Sequence, residues 1–257
     1  MLYALLSPAK RLDFSPAPAG VKATAPELMA ATTNLAKRVK KYTAGDLKRL
    51  MGISDKLATL NFERFRAFDL KNGGETKPAI YAFAGEVYMG FESKTLTLAD
   101  IKYAQDHVGI LSGLYGVLRP LDTIQPYRLE MGTSVDTDQG EDLYDFWRAG
   151  LTKHLNAMLA KAKNPTIVNL ASEEYWSAVD TKALKIPVMQ CAFKEIKDGK
   201  ATIVSFLAKK ARGQMARYIV QHRIETPEGL RAFDTGGYTF DTKSSSERMY
   251  VFTRKGK

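Results

Sequence analysis

Short apolar runs alternating with segments of helical spacing constrain the fold of this chain more than any other feature of its sequence. The runs at residues 2–6, 79–83, 108–111, 166–170, 186–193 and 201–206 have strand length and are bounded by turn residues. Segments between them, such as 142–161, repeat their apolar positions at helical intervals. Strands that alternate with helices are joined by crossovers, so the pattern predicts an α/β chain with helices around a sheet. The Asp198-Gly199 pair between the last two runs is a hairpin signal, because a two-residue hairpin turn requires positive φ. At least one antiparallel pairing is therefore expected, which makes the sheet mixed. With 257 residues, 45% of them hydrophobic, and no low-complexity linker, the chain reads as one domain over residues 1–257.

Several helices carry their own start signals. Pro26 suits the first turn of a helix running to about Tyr42. Thr43-Ala-Gly-Asp46 and Thr97-Leu-Ala-Asp100 have the form of a capping box with Asp in place of Glu, and each starts a helix. The proline-rich residues 13–20 and the Asn-Gly-Gly stretch within 71–77 read as exposed loops.

Composition narrows the function. A net charge of +10 and a pI near 9.5 favour polyanionic partners, because a basic surface concentrates them and speeds their capture. The charge is uneven: residues 37–66 are dominated by Lys and Arg, whereas residues 130–145 hold acids and no base. There is no run of about eighteen apolar residues, and the run at 2–6 is too short for a signal sequence, so a cytoplasmic location without a membrane partner is expected. The single cysteine, Cys191, lies in a strand-like run and is expected to be buried. His107, His154 and His222 lack paired ligand spacing, and no Walker loop, GxGxxG or GxSxG sequence is present. No catalytic residue, metal or cofactor is assigned on these grounds.

Three groups of residues are candidates for binding anions. Residues 47–58 place Gly52-Ile53-Ser54 between two helical segments and resemble the helix-hairpin-helix element of DNA-binding proteins, at about residues 44–68. Such a turn presents backbone N–H groups to a phosphate, with Lys48, Arg49 and Lys56 adding charge; the same residues also suit an ordinary corner in which Gly52 ends one helix and Ser54 caps the next. Residues 208–223 read as a packed helix whose Lys209, Lys210, Arg212 and Arg217 form either a rim that tracks phosphates or a solvated face. Lys10, Arg119, Tyr127, Arg128 and Ser172 stand at presumed strand ends and turns and are candidates for an anion crevice. For the arginines the alternative is ion pairing, Arg119 with Asp122 and Arg128 with Glu130. Tyr81, Phe83, Tyr88 and Phe91 suit core packing better than base stacking.

Four motifs spread over most of the chain bear on its kinship. They are Ser7-Pro-Ala-Lys10; residues 111–122 continuing through Pro126-Tyr-Arg-Leu-Glu-Met-Gly132; Asn169-Leu-Ala-Ser-Glu-Glu-Tyr175; and Ala208-Lys-Lys-Ala-Arg-Gly213. In them the chain resembles the YaaA family of bacterial peroxide stress resistance proteins. The resemblance implies DNA binding through a helix-hairpin-helix element, and an association with limiting intracellular iron and DNA damage; double-stranded or branched DNA is the expected partner, the branched form because it would connect the two roles. The alternative from the residues alone is an enzyme acting on a phosphorylated or anionic small molecule in a basic crevice.

Overall fold

A computed structural model describes residues 1–71 and 73–256 of the chain. Strand β1 (Leu2–Leu6) is buried at every position, as a strand covered on both faces must be, and it forms the centre of the sheet. Helices α1 (Met29–Val39), α2 (Ala44–Met51) and α3 (Asp55–Ala67) follow, then β2 (Lys77–Pro78), α4 (Ala79–Ala82), α5 (Glu86–Phe91) and α6 (Leu98–His107). The chain continues through β3 (Val108–Ser112), β4 (Gly116–Leu118), β5 (Thr123–Ile124), α7 (Leu143–Leu159), β6 (Thr166–Leu170) and α8 (Glu173–Trp176). It ends with β7 (Val188–Lys197), β8 (Lys200–Thr202), α9 (Ser205–Gln221), β9 (Thr239–Phe240) and β10 (Met249–Lys255).

The main sheet has eight strands in the order β4-β3-β1-β6-β7-β10-β9, with β8 on β7. The neighbours from β3 to β10 are parallel, while β4, β8 and β9 each pair antiparallel. This is the mixed α/β sheet that the sequence predicts. Asp198 and Gly199 join β7 to β8 with φ of 50° and 75°, the left-handed conformation that a two-residue hairpin needs. Topology fixes where a crevice opens. The chain leaves β1 for β3 on one side and returns to β6 on the other, so strand order reverses at β1 and the carboxyl ends of β1 and β6 diverge there.

Close helix packing sets the layer above the sheet. Helix α9 lies over β1, β6 and β7 through Ala208, Ala211, Met215, Ala216 and Ile219, and α5 crosses it. The crossing is backbone to backbone: a Cβ on Gly213 would lie 1.8 Å from the Val87 carbonyl oxygen, and one on Gly90 would lie 2.1 Å from that of Lys210. Further along the sheet, Phe193, Phe233, Tyr238 and Phe252 pack as an aromatic cluster. Beside it, buried Glu195 is satisfied by Arg254 Nε, 2.8 Å from each carboxylate oxygen, and by the Tyr238 hydroxyl at 2.6 Å.

Both capping boxes form, with Thr43 reciprocating Asp46 and Thr97 reciprocating Asp100, and Asp142 caps α7. Elsewhere the structure corrects the sequence reading. Residues 79–83 are the helix α4 and its cap rather than a strand, because an apolar run buried all round has no periodicity to distinguish the two. Of residues 201–206 only the first two belong to β8, and α9 starts at Ser205. The first helix begins at Met29, after a turn, rather than at Pro26. Asn72 lies outside the described residues, and Lys77 at the end of that loop is buried: its ammonium donates to the Asp13 carbonyl at 2.8 Å. No helix among the described residues is long and apolar enough to cross a membrane.

Gly213→Ala should lower unfolding stability by about 3 kcal/mol, since backbone on both sides of the crossing leaves little room to relax. Gly150→Ala, at an exposed position of α7 with nothing near the added methyl, should leave stability unchanged or raise it by up to about 1 kcal/mol. Urea unfolding midpoints of the two variants check the comparison.

Candidate functional site

Three strand ends meet at the point where strand order reverses. The chain leaves β1 at Ser7-Pro8 and leaves β6 at Ser172, and these two serines face each other. Ser7 Oγ accepts the Ser172 N–H at 2.8 Å and donates to Ser172 Oγ at 3.2 Å. From above, α5 sends the Tyr88 hydroxyl to the Ser7 carbonyl at 3.0 Å. At the end of β3, Ser112 Oγ accepts the N–H groups of Leu114 and Tyr115 and lies 2.7 Å from the Tyr127 hydroxyl. Residues 126–132 fold back over these ends because Gly113 has no side chain; a Cβ there would lie 2.3 Å from the Leu129 carbonyl oxygen.

The returning segment carries charge into the recess. Glu130 accepts from Arg128 at 3.1 and 2.8 Å and lies 3.2 Å from the Lys10 ammonium. Its second oxygen, Oε2, is buried with no hydrogen-bond partner among the described residues. Pro8, Ala9, Tyr127, Leu129 and Tyr175 complete the walls. Burial pushes the phenols of Tyr88, Tyr127 and Tyr175 above the ordinary tyrosine range, so all three keep their protons at neutral pH. The recess therefore combines neutral phenols with two cations held on one carboxylate.

Of the residues proposed from sequence for an anion crevice, Lys10, Tyr127, Arg128 and Ser172 come together at this end of the sheet. Arg119 does not. It follows β4, which runs antiparallel to β3, and so stands near the amino ends of the strands, where it pairs with Asp122 at 2.9 Å and Glu27 at 2.7 Å. The ion-pair alternatives for Arg119 and Arg128 are both present. Glu130, Ser7, Ser112 and Tyr88 were not among the sequence candidates. Ser7 and Ser112 had a usable signal, a polar residue closing an apolar strand run, whereas the approach of Tyr88 depends on how α5 crosses α9.

The basic residues separate into paired and unpaired. Lys48 is bound to Asp55 at 2.8 Å and Arg49 is bound to Asp46, while Lys56, Lys209 and Lys210 are exposed and without an ion-pair partner among the described residues. Arg217 is occupied at the end of α5, donating to the carbonyls of Phe91 and Glu92 and to Thr95 Oγ1. Between α2 and α3, Gly52 adopts φ 59°, ψ 40°, Ile53 is buried, and Ser54 Oγ accepts the Leu57 N–H at 3.4 Å. Arg212 is half-buried on α9 near Cys191, which lies one residue beyond the paired part of β7 alongside β6. Its guanidinium has no carboxylate or carbonyl partner among the described residues, and desolvation lowers its pKa.

Comparison with known proteins identifies the kinship of this arrangement. The family model described as peroxide stress protein YaaA matches residues 1–244. The chain belongs to that family. A UPF0246 protein of Caulobacter vibrioides is 52% identical over 250 residues, which cover 97% of this chain and 98% of the relative. UPF0246 proteins of Paracidovorax citrulli and Albidiferax ferrireducens are each 48% identical, over 257 and 259 residues, and cover 99% of this chain. The resemblance read from the four motifs thus extends through the whole fold, including the segments that build the strand-end recess.

Cys191 illustrates how burial separates chemistry from packing here. Desolvation pushes its thiol from 9.0 up to about 12, so the folded chain keeps this proton where the unfolded chain loses it, and the stabilising contribution present below about pH 9 is lost as pH rises toward 12. At about pH 8 the native protein should resist a thiol reagent that labels it rapidly in urea, as followed by mass spectrometry. Equal labelling rates with and without urea would contradict the burial of this side chain.

Proposed function

We propose that this member of the peroxide stress family acts in the cytoplasm by gripping the phosphates of double-stranded or branched DNA, with little sequence specificity. The corner between α2 and α3 carries the reading. Left-handed Gly52 turns the chain sharply, and Ser54 caps α3 by taking only the Leu57 N–H, so the N–H groups of Asp55 and Lys56 have no acceptor within the helix. Backbone N–H groups at such a helix start favour a phosphate whatever the base. Exposed Lys56 stands beside them, and Lys209 and Lys210 supply further unpaired charge on α9. Limiting intracellular iron and DNA damage, the role that the family resemblance implies, belongs to the same proposal.

Ion pairing decides which charges contribute. Lys48 and Arg49 are partly neutralised by Asp55 and Asp46, so truncating either should weaken DNA binding less than Lys56→Ala does. In fluorescence anisotropy across a salt titration, Lys56→Ala should flatten the slope of log affinity against log salt by about 0.9, the effect of neutralising one phosphate fewer. Asp55→Asn, which releases Lys48, should strengthen binding. Absence of duplex binding beyond a neutral-polymer control would reject the reading.

A further inference from the structure

Apolar side chains left in water are informative where they gather, since single ones occur on every soluble surface. In this protein they gather at the β7–β8 hairpin and the start of α9. Ile196 is 38% exposed, Ile203 58% and Phe206 60%, and every residue from 196 to 203 is exposed. Local structure joins them: Ile196 pairs with Ala201 across the hairpin, Ile203 follows β8 directly, and Phe206 lies in the first turn of α9. Asp198 and Gly199 close the hairpin in the left-handed conformation, so this edge has its shape before anything meets it.

The same edge is basic. Lys197 and Lys200 face each other beside the hairpin turn, Lys255 pairs with Ile196 on its other side, and Lys209 and Lys210 follow Phe206 by about one helical turn. All five are exposed and have no ion-pair partner among the described residues. Of the two acids between residues 194 and 210, Glu195 is buried against Arg254 and Tyr238, which leaves Asp198 alone at the surface.

We propose that this edge docks reversibly on an anionic membrane surface. Association with a membrane interface grows with the apolar area inserted and with the attraction of nearby cations to acidic headgroups, and this edge combines the two. Phosphates of a nucleic acid would engage the lysines and leave Ile203 and Phe206 in water. A second copy of the chain would cover the apolar groups but bring two sets of lysines together. A fluid surface needs no matching shape, and it takes up apolar tips while headgroups meet the cations around them. Such docking is peripheral, so the lack of a membrane-spanning helix does not bear on it. The proposal does not rest on the DNA reading, and although Lys209 and Lys210 are common to both, Phe206 and Ile203 belong to this edge alone.

Cosedimentation of the full-length protein with phosphatidylcholine vesicles containing about 30% phosphatidylserine, against phosphatidylcholine alone, tests the proposal. Binding to the anionic vesicles is expected, declining as salt is raised. Phe206→Ser should weaken it about tenfold by removing an inserted ring, and Lys200→Gln about fivefold by removing one cation near the headgroups. Ile203→Ser carries the same test if Phe206→Ser does not fold by circular dichroism. Phe206→Ser should leave duplex affinity unchanged, and Lys56→Ala should leave vesicle binding unchanged, so the failure of either reading is distinguishable from failure of the other. Equal sedimentation with the two kinds of vesicle, or equal binding by the wild type and folded Phe206→Ser and Ile203→Ser variants, overturns the proposal. A dimer in sedimentation velocity that Phe206→Ser abolishes, without vesicle binding, would assign the edge to a second copy and overturn it as well.

Discussion

The crossing of α5 over α9 is the contact on which the upper half of this molecule depends. Two glycines, Gly90 and Gly213, let the helices meet at backbone distance, where each has the other's carbonyl in the place of a Cβ. Because α9 is seated on β1, β6 and β7, the crossing also fixes the height and direction of α5 above the sheet. Tyr88 consequently reaches the Ser7 carbonyl, and Arg217 meets the carbonyls that end α5. A cation at the end of a helix satisfies carbonyls that have no partner within it, so Arg217 locks the crossing it borders.

The strand-end recess follows from a second constraint, the reversal of strand order at β1. Parallel strands deliver their carboxyl ends to one edge, and at the reversal the connections part to opposite sides and leave that edge open. Here the opening is lined by polar residues that close apolar strands, Ser7, Ser112 and Ser172, and is roofed by the segment from Pro126 to Gly132. Gly113 permits that roof to touch the end of β3, and Trp147 Nε1 donates to the Gly113 carbonyl at 2.9 Å, holding the turn beneath it. Ser7 and Ser172 bond to one another and Ser112 bonds to backbone, which ties the three strand ends in place.

Net charge describes the surface poorly until the ion pairs are known. Residues 37–66 are strongly basic, yet Arg38 is bound to Asp136, Lys48 to Asp55 and Arg49 to Asp46. Asp136 of the acidic stretch 130–145 is brought to Arg38 by the fold, and the other two counter-charges lie within the basic stretch itself. Lys56, Lys209 and Lys210 remain unpaired at the surface among the described residues, and Arg212 remains unpaired and half-buried at the level of the strand ends. In a low-dielectric setting an unpaired guanidinium interacts strongly with whatever anion approaches, whereas a paired one contributes little.

Much of the local structure was legible in the chain itself. The two capping boxes, the Asp198-Gly199 hairpin, the mixed sheet and the corner at Gly52 and Ser54 depend on residues close in sequence, whose hydrogen bonds and φ preferences act wherever the chain goes. The strand reading of residues 79–83 failed because complete burial removes the periodicity that separates helix from strand. The candidate site was legible only in part: Lys10, Tyr127, Arg128 and Ser172 could be selected as polar residues at turns, but Arg119 met the same criteria and stands at the other end of the sheet. Nothing local distinguishes the two arginines, since each precedes an acid it can pair with; the antiparallel direction of β4 separates them. The surroundings of Glu130 and Tyr88 and the pairing of Ser7 with Ser172 are products of tertiary structure, because they come from segments as far as 165 residues apart. Sequence by itself determined which groups could form turns, caps and charges, and only the packing of α5 on α9 and the order of strands around β1 decided which of those groups face one another.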